Sequence, residues 1–198
     1  MLTQFCKART LYHICATVSK FLAAVPEVLA MLPNVVKLEL YSLKIDGTLR
    51  MALAHQLPLL QEIRVIRCTL PGIARMAELV CFFPHLKKFK VGDVFVMPPE
   101  PGHTFPEVIS RPSLEVIRFP SRLFLVDDSI SNFLDWLVKE SLHTHIRTLD
   151  IVLFRHKEAE IVRNLLRGVG PSLQDLSFSL DPENRGESKC ALLSILTF

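Results

Sequence analysis

The chain has 198 residues, 49% of them hydrophobic, with 23 Lys and Arg against 20 Asp and Glu for a formal net charge of +3. So apolar a composition excludes a disordered polymer, and so small a charge excess excludes nucleic-acid binding by bulk electrostatics alone. Five cysteines at 6, 15, 68, 81 and 190, an odd number without tight pairs, fit a reducing compartment. Residues 1–19 read as an N-terminal flank or a degenerate repeat, in which Lys7, Arg9 and His13, with Lys20 just beyond, interrupt the apolar core that a secretory signal needs. The run from Phe21 to Leu32 is broken by Pro26 and Glu27 and falls short of the roughly 20 residues of a membrane helix. The chain therefore reads as intracellular, cytoplasmic or nuclear, with no membrane attachment.

From Leu32 onward one phrase keeps returning, a Pro followed by apolar residues two, five and seven places on. It runs Leu-Pro-Asn-Val-Val-Lys-Leu-Glu-Leu at 32–40 and Leu-Pro-Leu-Leu-Gln-Glu-Ile-Arg-Val at 57–65. Phe-Pro-His-Leu-Lys-Lys-Phe-Lys-Val follows at 83–91, Arg-Pro-Ser-Leu-Glu-Val-Ile-Arg-Phe at 111–119 and Gly-Pro-Ser-Leu-Gln-Asp-Leu-Ser-Phe at 170–178. Between the last two, a copy with Thr144 in the Pro place keeps Ile146, Leu149 and Ile151. The middle apolar position falls at residues 38, 63, 89, 117, 149 and 176, a period of about 25 to 32 residues. Each phrase predicts a short strand, whose side chains alternate with period two. Leu38 and Leu40, and their counterparts in each copy, then share one face, and the residues between them share the other.

The connections predict helices or irregular segments. Val25 to Leu29 reads as the first repeat's own helix. Ile73, Met76, Leu79, Val80 and Phe83 keep helical spacing behind Pro71 and Gly72. Residues 97–112 are too rich in proline for a full helix and read as a loop with at most one helical turn. Ile130, Phe133, Leu134, Leu137 and Val138 form a second stripe, with Asp127, Asp128 and Ser129 as candidate caps and Trp136 partly buried beside it. Ile161, Leu165, Leu166 and Val169 form a third, with Gly168 and Gly170 as stop signals. Leu60 to Leu70 matches the leucine-rich signature, with Cys68 at the place that takes Asn or Cys. The other copies carry Leu43, Val94, Arg122, Phe154 and Asp181 there, which predicts irregular loops on that side.

The fold class expected is α/β, a leucine-rich-repeat solenoid of about six irregular repeats. It would be horseshoe-like, with parallel strands on the inner face and helices or irregular segments outside. The array spans 20–181, and 182–198 is a C-terminal tail or cap. Stacking the strands sets outward residues in columns: Glu39, Arg64, Lys90, Arg118, Asp150, Ser177; then Lys37, Glu62, Lys88, Val116, Thr148, Asp175; then Tyr41, Ile66, Gly92, Pro120, Val152, Ser179. The middle of this face is basic, and Glu39, Tyr41, Arg64, Lys88, Lys90, Arg118 and Asp150 are the expected partner-binding residues. Opposite charges there can also pair with one another, Glu39 with Arg64 and Arg118 with Asp150. The chain carries no catalytic motif and no phosphate-cradling glycine loop. Cys6, His13 and Cys15, like His143 and His145, lack zinc spacing, so no metal or cofactor is expected. Cys68 and Cys81 read as small buried residues.

The phrase Pro-x-Leu-x-x-Leu-x-Leu, with its irregular period, resembles the leucine-rich regions of F-box proteins, especially the divergent fungal set, over residues 20–180. The resemblance implies a substrate receptor of an SCF-type ubiquitin ligase, docked through a Skp-type adaptor. No F-box is recognisable ahead of the array, so the adaptor enters only with an F-box outside this chain. The function expected is a non-enzymatic protein-protein recognition module working through the inner strand face, its partner acidic or phosphorylated. The alternatives are a ligand-sensing repeat region of a larger signalling protein and, ranked last, a nucleic-acid surface.

Overall fold

A computed structural model describes residues 10–15, 27–98, 104–108, 111–119, 124–125, 129–153, 156–170 and 172–180. Within them lies an α/β fold built on a parallel sheet. Its strands are β1 (Thr10–Cys15), β2 (Lys37–Tyr41), β3 (Glu62–Ile66), β5 (Lys88–Gly92), β7 (Val116–Phe119), β9 (Thr148–Leu153) and β10 (Asp175–Leu180). These seven neighbour one another in chain order. Between them come the helices α1 (Gly47–Gln56), α2 (Ala74–Cys81), α3 (Ser129–Lys139) and α4 (His156–Val169). A second parallel sheet joins three short strands, β4 (Thr69–Pro71), β6 (Phe95–Met97) and β8 (Phe124–Leu125).

The recurring phrase has a local cause. The carbonyl of the residue before the Pro accepts from the N–H three places on: Val35 to Leu32, Leu60 to Leu57, Leu86 to Phe83, and Ile146 to His143 in the Thr144 copy. The Pro occupies the second place of that turn, where its fixed φ is already correct and its missing N–H costs nothing. Directly after the turn, two successive N–H groups share one carbonyl of the preceding unit: Gln61 and Glu62 on Val36, Lys87 and Lys88 on Gln61, Glu115 and Val116 on Lys87. Arg147 and Thr148 on Glu115, then Gln174 and Asp175 on Arg147, continue the series. The phase is thereby locked from one strand to the next, and the pairing of β2 through β10 follows the columns read from sequence.

Leu38, Leu40, Ile63, Val65, Phe89, Val91, Ile117, Phe119, Leu149 and Ile151 are all buried in one core with Leu53, Met76, Leu79, Phe133, Leu137, Val162 and Leu165 from the helices. Each such side chain is worth roughly 1.5–3 kcal/mol when fully buried. The helices thus cover one face of the sheet. Leu176, which holds the same strand position, is 43% exposed because β10 is the last strand of the described sheet.

The long connection after β6 is held by aromatic contact. Phe105 stacks on Trp136 at 6.0 Å, and the Trp136 indole N–H donates to the Pro106 carbonyl at 3.3 Å. Trp136 in turn lies 5.6 Å from Phe133, which packs on Phe89 and Phe119. Trp136 is a buried anchor of this loop. Residues 104–108 have no regular structure, as expected, whereas Met97 still belongs to β6.

Several expectations need correction. Residues 10–15 form a strand although no phrase announces it, and β1 pairs in parallel with β2 across a register shift between Leu11 and Ile14. Helix α1 was not expected; Asp46 caps it, accepting from the Leu49 N–H at 3.0 Å. The turns after β2, β3 and β5 are regular rather than irregular. Ser42, Arg67 and Asp93 take positive φ of 55°, 52° and 52° at the same step, and Leu43, Cys68 and Val94 are buried behind them. The Cys68 thiol donates to the Leu40 and Ile66 carbonyls, while Leu43 and Val94 fill the corresponding space with apolar bulk. Gly168 lies inside α4 and is no stop signal. A Cβ there would collide with the His143 ring, so the position needs Gly for close approach. The turn positions Arg122, Phe154 and Asp181 and the candidate caps Asp127 and Asp128 lie outside the described residues.

Candidate functional site

The sheet face turned away from the helices carries the outward columns. Strand pairing places Glu39 beside Arg64, Arg64 beside Lys90, Lys90 beside Arg118 and Arg118 beside Asp150. The adjacent column sets Lys37, Glu62, Lys88, Val116, Thr148 and Asp175 side by side. Neighbouring strands lie about 4.8 Å apart, so these side chains form continuous rows, in which Glu39 is buried at 7% exposure rather than presented to a partner. In the third column Tyr41, Ile66 and Gly92 align, and Pro120 lies outside the described residues.

The charges on this face divide into two groups. Arg64 meets Glu39 at 2.5 Å, and Lys90 meets Glu62 at 2.7 Å across a diagonal. Lys37 adds a longer contact to Glu62 at 3.8 Å. Burial alone pushes the Glu62 carboxyl up, but its hydrogen bond to Lys90 and the charges of Lys90, Lys37 and Lys88 outweigh it and hold the group below the usual carboxylate range. Arg118 and Asp150, by contrast, sit beside each other without an ion pair among those of the described residues. Arg118 and Lys88 are exposed, and neither makes a salt-bridge contact among the described residues, although the charge of Lys88 is felt by Glu62 at longer range. Of the two pairs expected from sequence, Glu39 with Arg64 forms and Arg118 with Asp150 does not.

A pocket of about 280 Å³ opens at this place, lined by Arg64, Lys90, Arg118 and Asp150 with Ile66, with Gly92 at the end of β5 and with the turn residue Asp93. Gly92 makes room for it, because the strand position beside Ile66 carries no side chain there. Tyr41 stands at the edge: its hydroxyl accepts from Arg67 at 2.6 Å, and the Arg67 guanidinium lies 5.6 Å from the ring centre. Arg67 also reaches Asp93 at 3.9 Å. Sequence reasoning missed Arg67 and Asp93, since both belong to the turn that the degenerate signature failed to define. Their signal is positional: each directly follows the strand. Of the seven residues expected at the site, Arg64, Lys90, Arg118 and Asp150 converge on the pocket, while Glu39, Tyr41 and Lys88 flank it.

Among the described residues, Cys68 and Cys81 lie away from this face. Burial, reinforced by Glu140, pushes the Cys81 thiol up to about 11, so it stays protonated and poorly nucleophilic at neutral pH. Cys68 is fully buried. Among the described residues no group of His, Cys, Asp and Glu is placed to hold a metal ion, and no helix is long and apolar enough to cross a membrane. Comparison with family models, with curated proteins and with solved structures finds no match to this chain.

Proposed function

We propose that the chain is a leucine-rich-repeat solenoid acting as a non-enzymatic recognition module, and that it holds a protein partner on the open face of its sheet. The sequential strand order and the period of about 25 to 32 residues support the solenoid reading. One observation carries the functional reading: the register gathers Arg64, Lys90 and Arg118, with Lys88 beside them, on a face that no described helix covers. Charges so placed steer and orient a partner bearing acidic or phosphorylated side chains. The narrower role, substrate receptor of an SCF-type ubiquitin ligase through a Skp-type adaptor, is supported by the resemblance of the phrase alone and requires an F-box outside the array.

The test is affinity capture with the wild type, with an Arg64/Lys90/Arg118 triple alanine variant, and with a control triple alanine variant at the exposed cations Lys44, Lys139 and Arg167. The expected result is a specific partner retained by wild type and control and lost from the open-face variant. Equal recovery by all three proteins would overturn the assignment of the face.

A further inference from the structure

We infer that the open face takes a polypeptide segment bearing both signs of charge: an acidic side chain seated between Lys90 and Arg118, and a basic side chain on Asp150. This rests on the reading of that face as the binding surface, and it narrows the ligand.

The pocket, at about 280 Å³, has room for one or two side chains and is itself dipolar. Arg64, Lys90 and Arg118 approach it from consecutive strands, and Asp150 comes from the next. Glu39 and Glu62 already satisfy Arg64 and Lys90, which leaves Arg118 as the cation on offer among the described residues of the lining. Of the two carboxylates in the lining, Asp93 is engaged by Arg67 at 3.9 Å, and Asp150 is the anion on offer among the described residues. Arg118 and Asp150 are neighbours in register, and a contact between them at this surface would be worth only about 0–1 kcal/mol, so a ligand displaces it at little cost.

This pattern discriminates. A polyanion laid over Arg118 meets Asp150 one strand further on, about 4.8 Å away, and the exposed Asp175 lies on the strand beyond. Like charges brought together in that way oppose binding. A polycation meets Arg118 and Lys88 instead. A segment with one acid and one base satisfies both ends. An acid placed midway between Lys90 and Arg118 lies about 7 Å from the Asp150 column, close to the spacing of residues i and i+2 in an extended chain lying across the strands. Ile66 lines the same pocket and can meet the aliphatic stem of either side chain.

Random dodecapeptides displayed on phage, panned on wild type with counter-selection on Arg118→Glu, test the inference. Enriched peptides should carry an acid and a base two places apart, and a synthesised winner should bind Arg118→Glu at least about tenfold more weakly. Replacing the winner's basic residue by Ala should weaken binding to wild type but not to Asp150→Ala. Both variants should keep the wild-type melting midpoint, measured alongside. Winners that depend on Arg118 yet are indifferent to loss of their basic residue would overturn the dipolar ligand while leaving recognition by this face intact. Recovery of no binder sensitive to Arg118→Glu, or equally sensitive binding of a random single-stranded oligonucleotide, would overturn the inference together with the protein-recognition reading.

Discussion

Arg50 is 6% exposed, and its guanidinium meets Glu78 on the next helix while the other oxygen of that carboxylate takes Arg75 at 2.6 Å. The Arg50 Nε also donates to the Asp46 carbonyl at 3.2 Å, tying the cap of α1 to the middle of α2. Removing one member of such a buried set leaves an uncompensated charge, so Glu78→Ala should cost about 3 kcal/mol, and Arg50→Met combined with Glu78→Leu should recover only part of it, because Arg75 still loses this carboxylate. Chemical denaturation of both variants checks this. Glu62 makes a different, pH-dependent contribution. Its carboxyl is held below the ordinary range by Lys90, so the stability it adds is present above the unfolded carboxylate pKa and is lost as pH falls through the lower folded value. Melting midpoints taken between neutral pH and about pH 3 should therefore fall more steeply for wild type than for Glu62→Gln. Identical slopes would show that the Lys90 contact contributes nothing to folding.

Helix α4 illustrates what an element conceals from its sequence. Gly168 resembles a stop signal, yet its neighbour is the ring of His143, whose Nδ1 lies 3.4 Å from the Leu137 carbonyl at the end of α3. Gly168→Ala gains roughly 1 kcal/mol in helix propensity but drives a methyl into that ring, and a clash of this kind costs about 1–3 kcal/mol. The single variant should melt below wild type, and adding His143→Ala should relieve the clash, leaving the double variant more stable than His143→Ala alone. Thermal melts of the four proteins form the cycle. Elements that obey one strong period were legible in the sequence: the strands behind each Pro phrase, α2, α3 and α4. Helix α1 was not, because the buried Arg50 interrupts its short apolar stripe of Leu49 and Leu53, although Asp46 and Gly47 mark its start. The sequence has no Pro ahead of strand β1, and β4, β6 and β8 are too short to show alternation. At the site, the columns followed from phase and period. The ionic pairings did not, because long side chains reach diagonally, as Lys90 does to Glu62, and only their placement in space decides between neighbours.

Across the described residues each strand of the larger sheet from β3 to β10 rests on the one before it, through the shared carbonyls of Val36, Gln61, Lys87, Glu115 and Arg147. In the proposed repeat array stability sums neighbour contacts, so on that reading a charge buried at Ile63 or Leu149 should unfold a run of units and broaden the melting transition. A single sharp transition in Ile63→Asp at the wild-type midpoint would show that the register is wrong. The same stacking that fixes the core leaves the opposite face free to vary in charge, and there Lys88 and Arg118 differ from Arg64 and Lys90 in making no salt-bridge contact among the described residues, Lys88 acting on Glu62 only at longer range. Charges that serve recognition rather than folding can be removed without harm to the fold. The decisive measurement is therefore the melting midpoint of Lys88→Ala/Arg118→Ala, read beside its recovery of the captured partner. The expected result is a midpoint within about 2 °C of wild type, since exposed charges contribute little, together with loss of the partner. A large fall in midpoint, or an unchanged partner on a fully folded variant, would contradict a recognition surface at this place.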